Sequence, residues 1–287
     1  MHRIAKAPAS SANLGPGFDT LAVALGLYLE VEISDRPDGL VVQTEGEGSD
    51  LPRGASHLAA RVVAEVLGHD RAHIKVRSEI PVARGLGSSA ALAVAAAAAA
   101  GACEPFEWGV RTDGHPENAA ASAFGGLVAA AMLDGEPLAR SLALDPELSF
   151  VVVVPDRRLS TAAARDLLPG QVPHQDAVFN LSRLGLLVAG LADHSQLVAS
   201  AGDDRLHQEA RSALFPEASL LLEGLRDAGA LTSCWSGAGP SVLGICTRDT
   251  SPSVAKAARE LMSELAVLGD VLELPPDLGG VMVHELG

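Results

Sequence analysis

Pro81-Val82-Ala83-Arg84-Gly85-Leu86-Gly87-Ser88-Ser89-Ala90-Ala91 is the stretch from which the rest of the chain can be read. It follows His73 to Ser78, whose period of two predicts a strand. It runs directly into an alanine-rich tract whose intrinsic propensity predicts a helix over 88–101. Gly85 and Gly87 permit backbone conformations closed to other residues and let a ligand approach the main chain. The helix behind them presents its unpaired N–H groups and the positive end of its dipole, so the assembly forms an anion site suited to phosphates. Ser88 and Ser89 add hydroxyls able to bond a phosphate oxygen or ligate Mg²⁺. No Lys follows the second Gly as a Walker A loop requires, and the glycine spacing is not that of the dinucleotide fingerprint. A glycine turn with a serine cap is the competing reading of G-x-G alone. The full string after a strand argues against it.

Working outward, Leu27, Leu29, Val31 and Ile33 alternate with Tyr28, Glu30 and Glu32, the pattern of a half-buried strand. Gly39 to Thr44 is expected to be its hairpin partner across a Pro37-Asp38-Gly39 turn. Ser56 is positioned to cap a helix with Leu58, Val62, Val63 and Val66 on one face. Beyond the alanine tract, Gly125–Met132 and Ser149–Val154 read as buried strands, and helices are predicted over 160–167, 174–192, 203–213 and 216–228. Thr232 to Cys246 reads as two strands around a Gly-Ala-Gly-Pro turn, followed by a helix at 252–266 and a strand at 280–285. Strands with helices stacked to one side predict the α+β class. No repeat and no Pro- or Ser-rich linker interrupts the chain, which divides into two domains, 1–145 and 146–287, expected to share an interface.

Composition narrows the function classes. The 287 residues carry a formal net charge of −15, which disfavours nucleic acid as a partner yet leaves room for a locally positive pocket. Aromatic residues make up only 3%, so the core must be built from small aliphatic side chains. Cys103, Cys234 and Cys246 are scattered and form no C-x-x-C pair, which fits a reducing cytoplasm rather than a disulfide framework. The N-terminal residues contain no apolar signal region, and the longest apolar run, Ala90 to Ala102, is shorter than the ~20 residues a membrane span needs. No zinc-type histidine pattern occurs, so no protein-caged metal is expected.

The Pro-x-x-x-Gly-Leu-Gly-Ser-Ser-Ala-Ala string resembles the phosphate loop of the GHMP kinases, named for galactokinase, homoserine kinase, mevalonate kinase and phosphomevalonate kinase. Two more of their motifs are resembled in the same order, covering essentially the whole chain. One is Pro8-Ala9-Ser10-Ser11-Ala12-Asn13-Leu14-Gly15-Pro16-Gly17-Phe18-Asp19, and the other is Ser236-Gly237-Ala238-Gly239-Pro240-Ser241-Val242. The resemblance implies a GHMP kinase fold, with an N-terminal ribosomal-S5-domain-2-like half carrying the phosphate loop and a C-terminal ferredoxin-like half. It implies ATP and Mg²⁺ as cofactors, small-molecule substrates, no nucleic acid or membrane partner, and a homodimer.

The first motif is most similar to the homoserine kinase family, where the matching Asn and Asp contact an amino acid. Asp19 can pair with an α-ammonium group, and Asn13 offers donor and acceptor to a hydroxyl. Gly114-His115-Pro116-Glu117-Asn118 resembles that family's Gly-His-Pro-Asp-Asn, with Glu117 in place of Asp. The acid before the glycine, commonly Glu, is Asp113 here, and the resemblance gives it, with Ser89, the Mg²⁺-ligating role. Ser160-Thr161-x-x-Ala164-Arg165 and His207-Gln208-Glu209-Ala210-Arg211 resemble two further segments whose arginines meet substrate, and a guanidinium fork suits an α-carboxylate. The family usually shows Asn-Leu near the nucleotide base where this chain has His57-Leu58. Asn13, Asp19, His115, Arg165 and Arg211 are thus the implied acceptor-binding set, Asp113, Ser89 and Arg165 the catalytic set, and no general base is assigned. Phosphorylation of the L-homoserine side-chain hydroxyl is the implied reaction. A GHMP kinase for an amine-free alcohol such as mevalonate or shikimate, or a nucleotide-binding module without catalysis, remain the alternatives.

Overall fold

The computed structural model describes residues 2–35 and 39–285. Two long antiparallel strands, β1 (His2–Ala12) and β2 (Leu21–Asp35), form the spine of a first sheet. Their register shifts between Pro8 and Ala9, a place where proline has no N–H to give the ladder. Next come β3 (Val41–Gly46), α1 (Leu58–Leu67) and β4 (Ala72–Ser78). Here the expected hairpin is corrected: β3 pairs in parallel with β4, and β4 lies between it and β2. Parallel neighbours need a crossover, and α1 supplies it. Pro37 and Asp38 of the expected turn lie outside the described residues. The cap of α1 is likewise His57 rather than Ser56, its Nδ1 accepting from the Ala59 N–H at 3.2 Å.

Helix α2 (Ser88–Ala100) is buried from Ala90 to Ala100. An apolar helix surrounded on all sides must be narrow to let its neighbours approach, which is what the alanines provide. Around it pack β1, β2, α1, α3 (Pro105–Asp113) and α4 (Pro116–Phe124). Strands β5 (Leu127–Leu133) and β6 (Glu136–Leu142) extend the first sheet through β2.

The second sheet is built on β7 (Leu148–Pro155), buried along its whole length. Its Phe150, Val152 and Val154 join the core that contains α2, while Val151 and Val153 face a separate cluster under two later helices. The chain continues through α5 (Thr161–Asp166), α6 (His174–Ala192), the single turn α7 (Gln208–Arg211) and α8 (Ala218–Asp227). The helix expected over 203–213 is therefore only its last part. The Asp204 carboxylate accepts from the N–H groups of Leu206, His207 and Gln208, and this capping loop replaces the earlier turns. Then β8 (Thr232–Trp235), β9 (Val242–Thr247), α9 (Ser251–Glu264) and β10 (Gly269–Leu274) complete an antiparallel sheet of order β10-β7-β9-β8. The final strand, β11 (Met282–Glu285), returns to the first sheet beside β1. Strands β1, β6 and β10 and helix α3 had no clear local signal. No described helix is long and apolar enough to cross a membrane.

Candidate active site

The three motifs meet physically. Ser236 Oγ donates to the Gly85 carbonyl at 2.7 Å, the Gly237 N–H donates to the Ala12 carbonyl at 2.9 Å, and the Ser10 N–H donates to the Leu86 carbonyl at 3.1 Å. The contact is so close that a Cβ on Gly85, where φ is +75°, would run into the Ser236 carbonyl. Where the strand ends, β1, the phosphate loop and the β8–β9 turn enclose a cavity of about 480 Å³. Residues 81–89 line it, together with Asn13, Asp19, Asp113, His115, Arg165 and Arg211. Two residues of the loop string do not: Ala90 and Ala91 are fully buried in the first turn of α2. Gly87 is the left-handed N-cap of α2 and no side chain caps it, so the helix start keeps its anion-attracting N–H groups beside Ser88 and Ser89.

One wall is an arginine pair over the Phe18 ring, Arg165 held by a carboxylate and Arg211 by a main-chain carbonyl. Arg165 grips Asp19 bidentately, NH1 to Oδ2 at 3.0 Å and NH2 to Oδ1 at 2.6 Å. Asp19 sits at φ +51° with its N–H on Asn13 Oδ1 at 3.0 Å, and Asn13 itself has φ +71°. Left-handed non-glycine residues cost of order 1–3 kcal/mol each and persist where surrounding contacts over-determine them. Asn13 Nδ2 is one such contact, donating to the Gly237 carbonyl at 2.9 Å. Arg211 is 1% exposed; its NH1 donates to the same carbonyl at 3.1 Å and to His207 Nδ1 at 2.7 Å. Burial pulls its pKa down to about 10, with the nearby Arg165 charge acting the same way. Its Nε is buried without a partner.

His207 orients this arginine. Its Nε2 lies 2.8 Å from the Gly15 carbonyl, which can only accept, so the proton is on Nε2 and Nδ1 offers its lone pair to Arg211. Burial holds the ring's pKa down to about 4, keeping it neutral. Phe18 stacks on it at 4.9 Å and lies under both Arg165 and Arg211.

The opposite wall is the α3–α4 corner. Asp113 ends α3, left-handed Gly114 turns the chain, and His115 opens α4, donating from Nδ1 to the Asp113 carbonyl at 2.9 Å. Burial raises the Asp113 pKa, and no described hydrogen bond or ion pair engages its carboxylate. A half-buried acid and the Ser89 hydroxyl, both lining the cavity, make a hard-oxygen donor set compatible with Mg²⁺. Glu117, 3% exposed, is lifted to about 7, first by burial and then by the charges of Asp19 and Asp113. Its Oε2 has no partner. Asn118 Oδ1 accepts from Ser10 Oγ at 2.9 Å and ties the corner to β1. Among the described residues, the one cluster of metal-type ligands, Asp145, Asp193 and His194, does not line the cavity.

Every implied acceptor-binding residue thus reaches one cavity, but Asp19 and Arg165 are engaged with each other rather than standing apart. Glu117 and Asn118 of the Gly-His-Pro segment line the cavity as well, and Phe18 and His207, in view only as parts of quoted motifs, support Arg211 behind it. A glutamate one position before Asn118 carries no local mark of burial. Arg84 differs from a phosphate-facing side chain: its guanidinium is bonded to main-chain carbonyls. His57, at the position where a base contact was in question, lines the cavity along with Leu51, Pro52 and Leu58.

Residues 54–126 match the family description "GHMP kinases N terminal domain" and residues 184–264 match "GHMP kinases C terminal". The homoserine kinase of Rhodococcus erythropolis is 42% identical over 89% of this chain and 89% of its own length. That of Leifsonia xyli is 40% identical over 98% of this chain and 91% of its own. The crystal structure of homoserine kinase from Cytophaga hutchinsonii superposes with a TM-score of 0.85 at 25% identity, covering 99% of this chain and 97% of that one. Such likeness along nearly the full length, with the three motifs closing on one cavity, places the chain among the ATP-dependent GHMP kinases and, within them, in the homoserine kinase family.

Proposed function

We propose that this cavity transfers the γ-phosphoryl group of ATP to the side-chain hydroxyl of L-homoserine, giving O-phospho-L-homoserine, and that it does so mainly by alignment. The observation that carries the reading is a carboxylate and two arginines, Asp19, Arg165 and Arg211, gathered from distant segments onto the wall of the cavity that holds the phosphate loop. An amino acid presents one positive and one negative group a few bonds apart. The mutual pairing of Asp19 with Arg165 is what such a zwitterion replaces: its ammonium takes the carboxylate, and its carboxylate takes Arg165 and the buried Arg211. An amine-free alcohol such as mevalonate or shikimate leaves Asp19 without a partner.

The loop 84–89 and the start of α2 hold the nucleotide phosphates through main-chain N–H groups. His57, Leu51, Pro52 and Leu58 form the wall available to the base. Asp113 and Ser89 would hold Mg²⁺, which would supply neutralisation of the phosphate charge. The substrate hydroxyl oxygen bonds to phosphorus as the bond to the ADP oxygen breaks, and the hydroxyl proton passes to water, no side chain being assigned as its base. A loose transition state of this kind depends more on positioning than on a strong base. His115 and Asn118 stand on the wall where that hydroxyl is oriented. The same reading divides the chain at 145/146, so that the phosphate loop belongs to the N-terminal domain and Arg165 and Arg211 to the C-terminal one. It takes the protein as a cytoplasmic homodimer.

A coupled ADP-release assay tests the reading with L-homoserine, D-homoserine, L-serine, L-threonine, mevalonate and shikimate as acceptors. Strong preference for L-homoserine is expected. Preference for an amine-free acceptor overturns the account of Asp19, and ATP binding without turnover on any acceptor overturns the kinase reading.

A further inference from the structure

An arginine in a phosphate loop would ordinarily be read as a phosphate ligand. Arg84 is occupied elsewhere. Its Nε donates to the Pro155 carbonyl at 2.7 Å, its NH2 to the Asp156 carbonyl at 2.6 Å, and its NH1 back to the Val82 carbonyl at 2.9 Å. Pro155 is the last residue of β7, and the Asp156 N–H is fixed to the Leu268 carbonyl at 2.9 Å. One step further on, the Leu159 N–H donates to the Ala83 carbonyl at 3.1 Å. Loop residues 83 and 84 therefore hold the chain at 155, 156 and 159, immediately before Ser160, the N-cap of α5.

Helix α5 has little else to fix it. Of its six residues only Ala164 is buried, and its functional side chain, Arg165, reaches across to Asp19. Two further anchors, Arg157 to the Leu214 carbonyl and Arg158 to Asp50, both at 2.9 Å, are exposed side chains. Screening by solvent leaves such bonds weak, whereas the Arg84 Nε bond to the Pro155 carbonyl is part-buried and charge-assisted, and the exposed bond to Asp156 adds to it.

We propose that Arg84 is a positioning residue that locks the phosphate loop to the start of α5, so that nucleotide at the loop and amino acid at Arg165 bind as linked events. The proposal rests on the functional reading above. Its physical content is reciprocal: whatever factor ADP adds to homoserine affinity, homoserine adds to ADP affinity.

The test uses the full chain as the unmodified protein, Arg84→Met and Arg84→Lys. ADP affinity is measured by calorimetry with and without saturating L-homoserine, and amide hydrogen exchange is followed over 157–166 with and without ADP. In the unmodified protein, homoserine should tighten ADP by about fivefold or more. ADP should also slow exchange at Leu159 and along α5. Arg84→Met should bring the homoserine effect on ADP close to none, abolish the ADP effect on α5 exchange, and raise the KM for homoserine roughly tenfold, one bond's worth of energy. Arg84→Lys, which keeps the charge and one donor, should fall between, and it serves alone if the Met variant does not fold. Linkage absent from the unmodified protein, or fully kept in both variants, overturns the proposal. So does a loss confined to ADP affinity with an unchanged homoserine KM, the mark of a direct phosphate ligand. Absence of homoserine turnover in the unmodified protein would sink the functional reading instead, and the exchange measurement would still decide for or against Arg84.

Discussion

Replacing Asp19 by Asn tests the amino-acid reading at its most exposed point. The backbone at Asp19 is left-handed, φ +51°, a conformation Asn tolerates as well as Asp, so the loop keeps its shape and only the charge is lost. In the free protein the substitution frees Arg165 from a bidentate partner that is itself 37% exposed, so the stability cost should be small. In the complex it removes a charge-assisted contact to the ammonium, worth about 1.5–3 kcal/mol. At 1.36 kcal/mol per factor of ten, kcat/KM for L-homoserine should fall by roughly 10- to 150-fold. The same acceptor without its amine, 4-hydroxybutyrate, never makes that contact. Arg165, released from Asp19, should bind its carboxylate at least as well. Steady-state ADP release with both acceptors, alongside a thermal melt, measures the difference. Equal losses on the two acceptors, or an unchanged KM for homoserine, would refute the assigned ammonium contact.

Two other substitutions probe the opposite wall. The Glu117 pKa is raised from 4.5 to about 7, so between those values the folded protein holds a proton that the unfolded chain has released, and stability falls as pH rises through this window by roughly 3 kcal/mol in all. Glu117→Gln removes the titration, so the drop in Tm between pH 5 and pH 7.5 should be visibly smaller in the variant; parallel pH curves would contradict it. Asp113→Asn takes away a half-buried charge that no described side chain bonds and whose pKa burial raises, so Tm should hold or rise while kcat falls by about a hundredfold or more through lost charge neutralisation. A fall in Tm with kcat retained would remove Asp113 from the phosphate-side chemistry.

The sequence by itself determined what depends on neighbours along the chain. The phosphate loop was legible because a glycine turn before a strong helix former has few other uses, and α2 followed from alanine propensity alone. The alternation in β2 and β4 and the order of the three motifs were local signals of the same kind. What only the tertiary structure decided is what depends on burial and on contacts between distant segments. The slot for β4 between β2 and β3 is set by a crossover that no turn motif announces, which is why the hairpin expectation failed. The pairing of Asp19 with Arg165 spans 146 residues. The proton on His207 is fixed by a carbonyl of Gly15, and the pKa of Glu117 by burial and by the charges of Asp19 and Asp113. Arg84 looks in the sequence like a phosphate ligand because its neighbours are one. Only the approach of β7 supplies the carbonyls that turn it away, since a guanidinium goes to the acceptors that three-dimensional packing leaves unsatisfied.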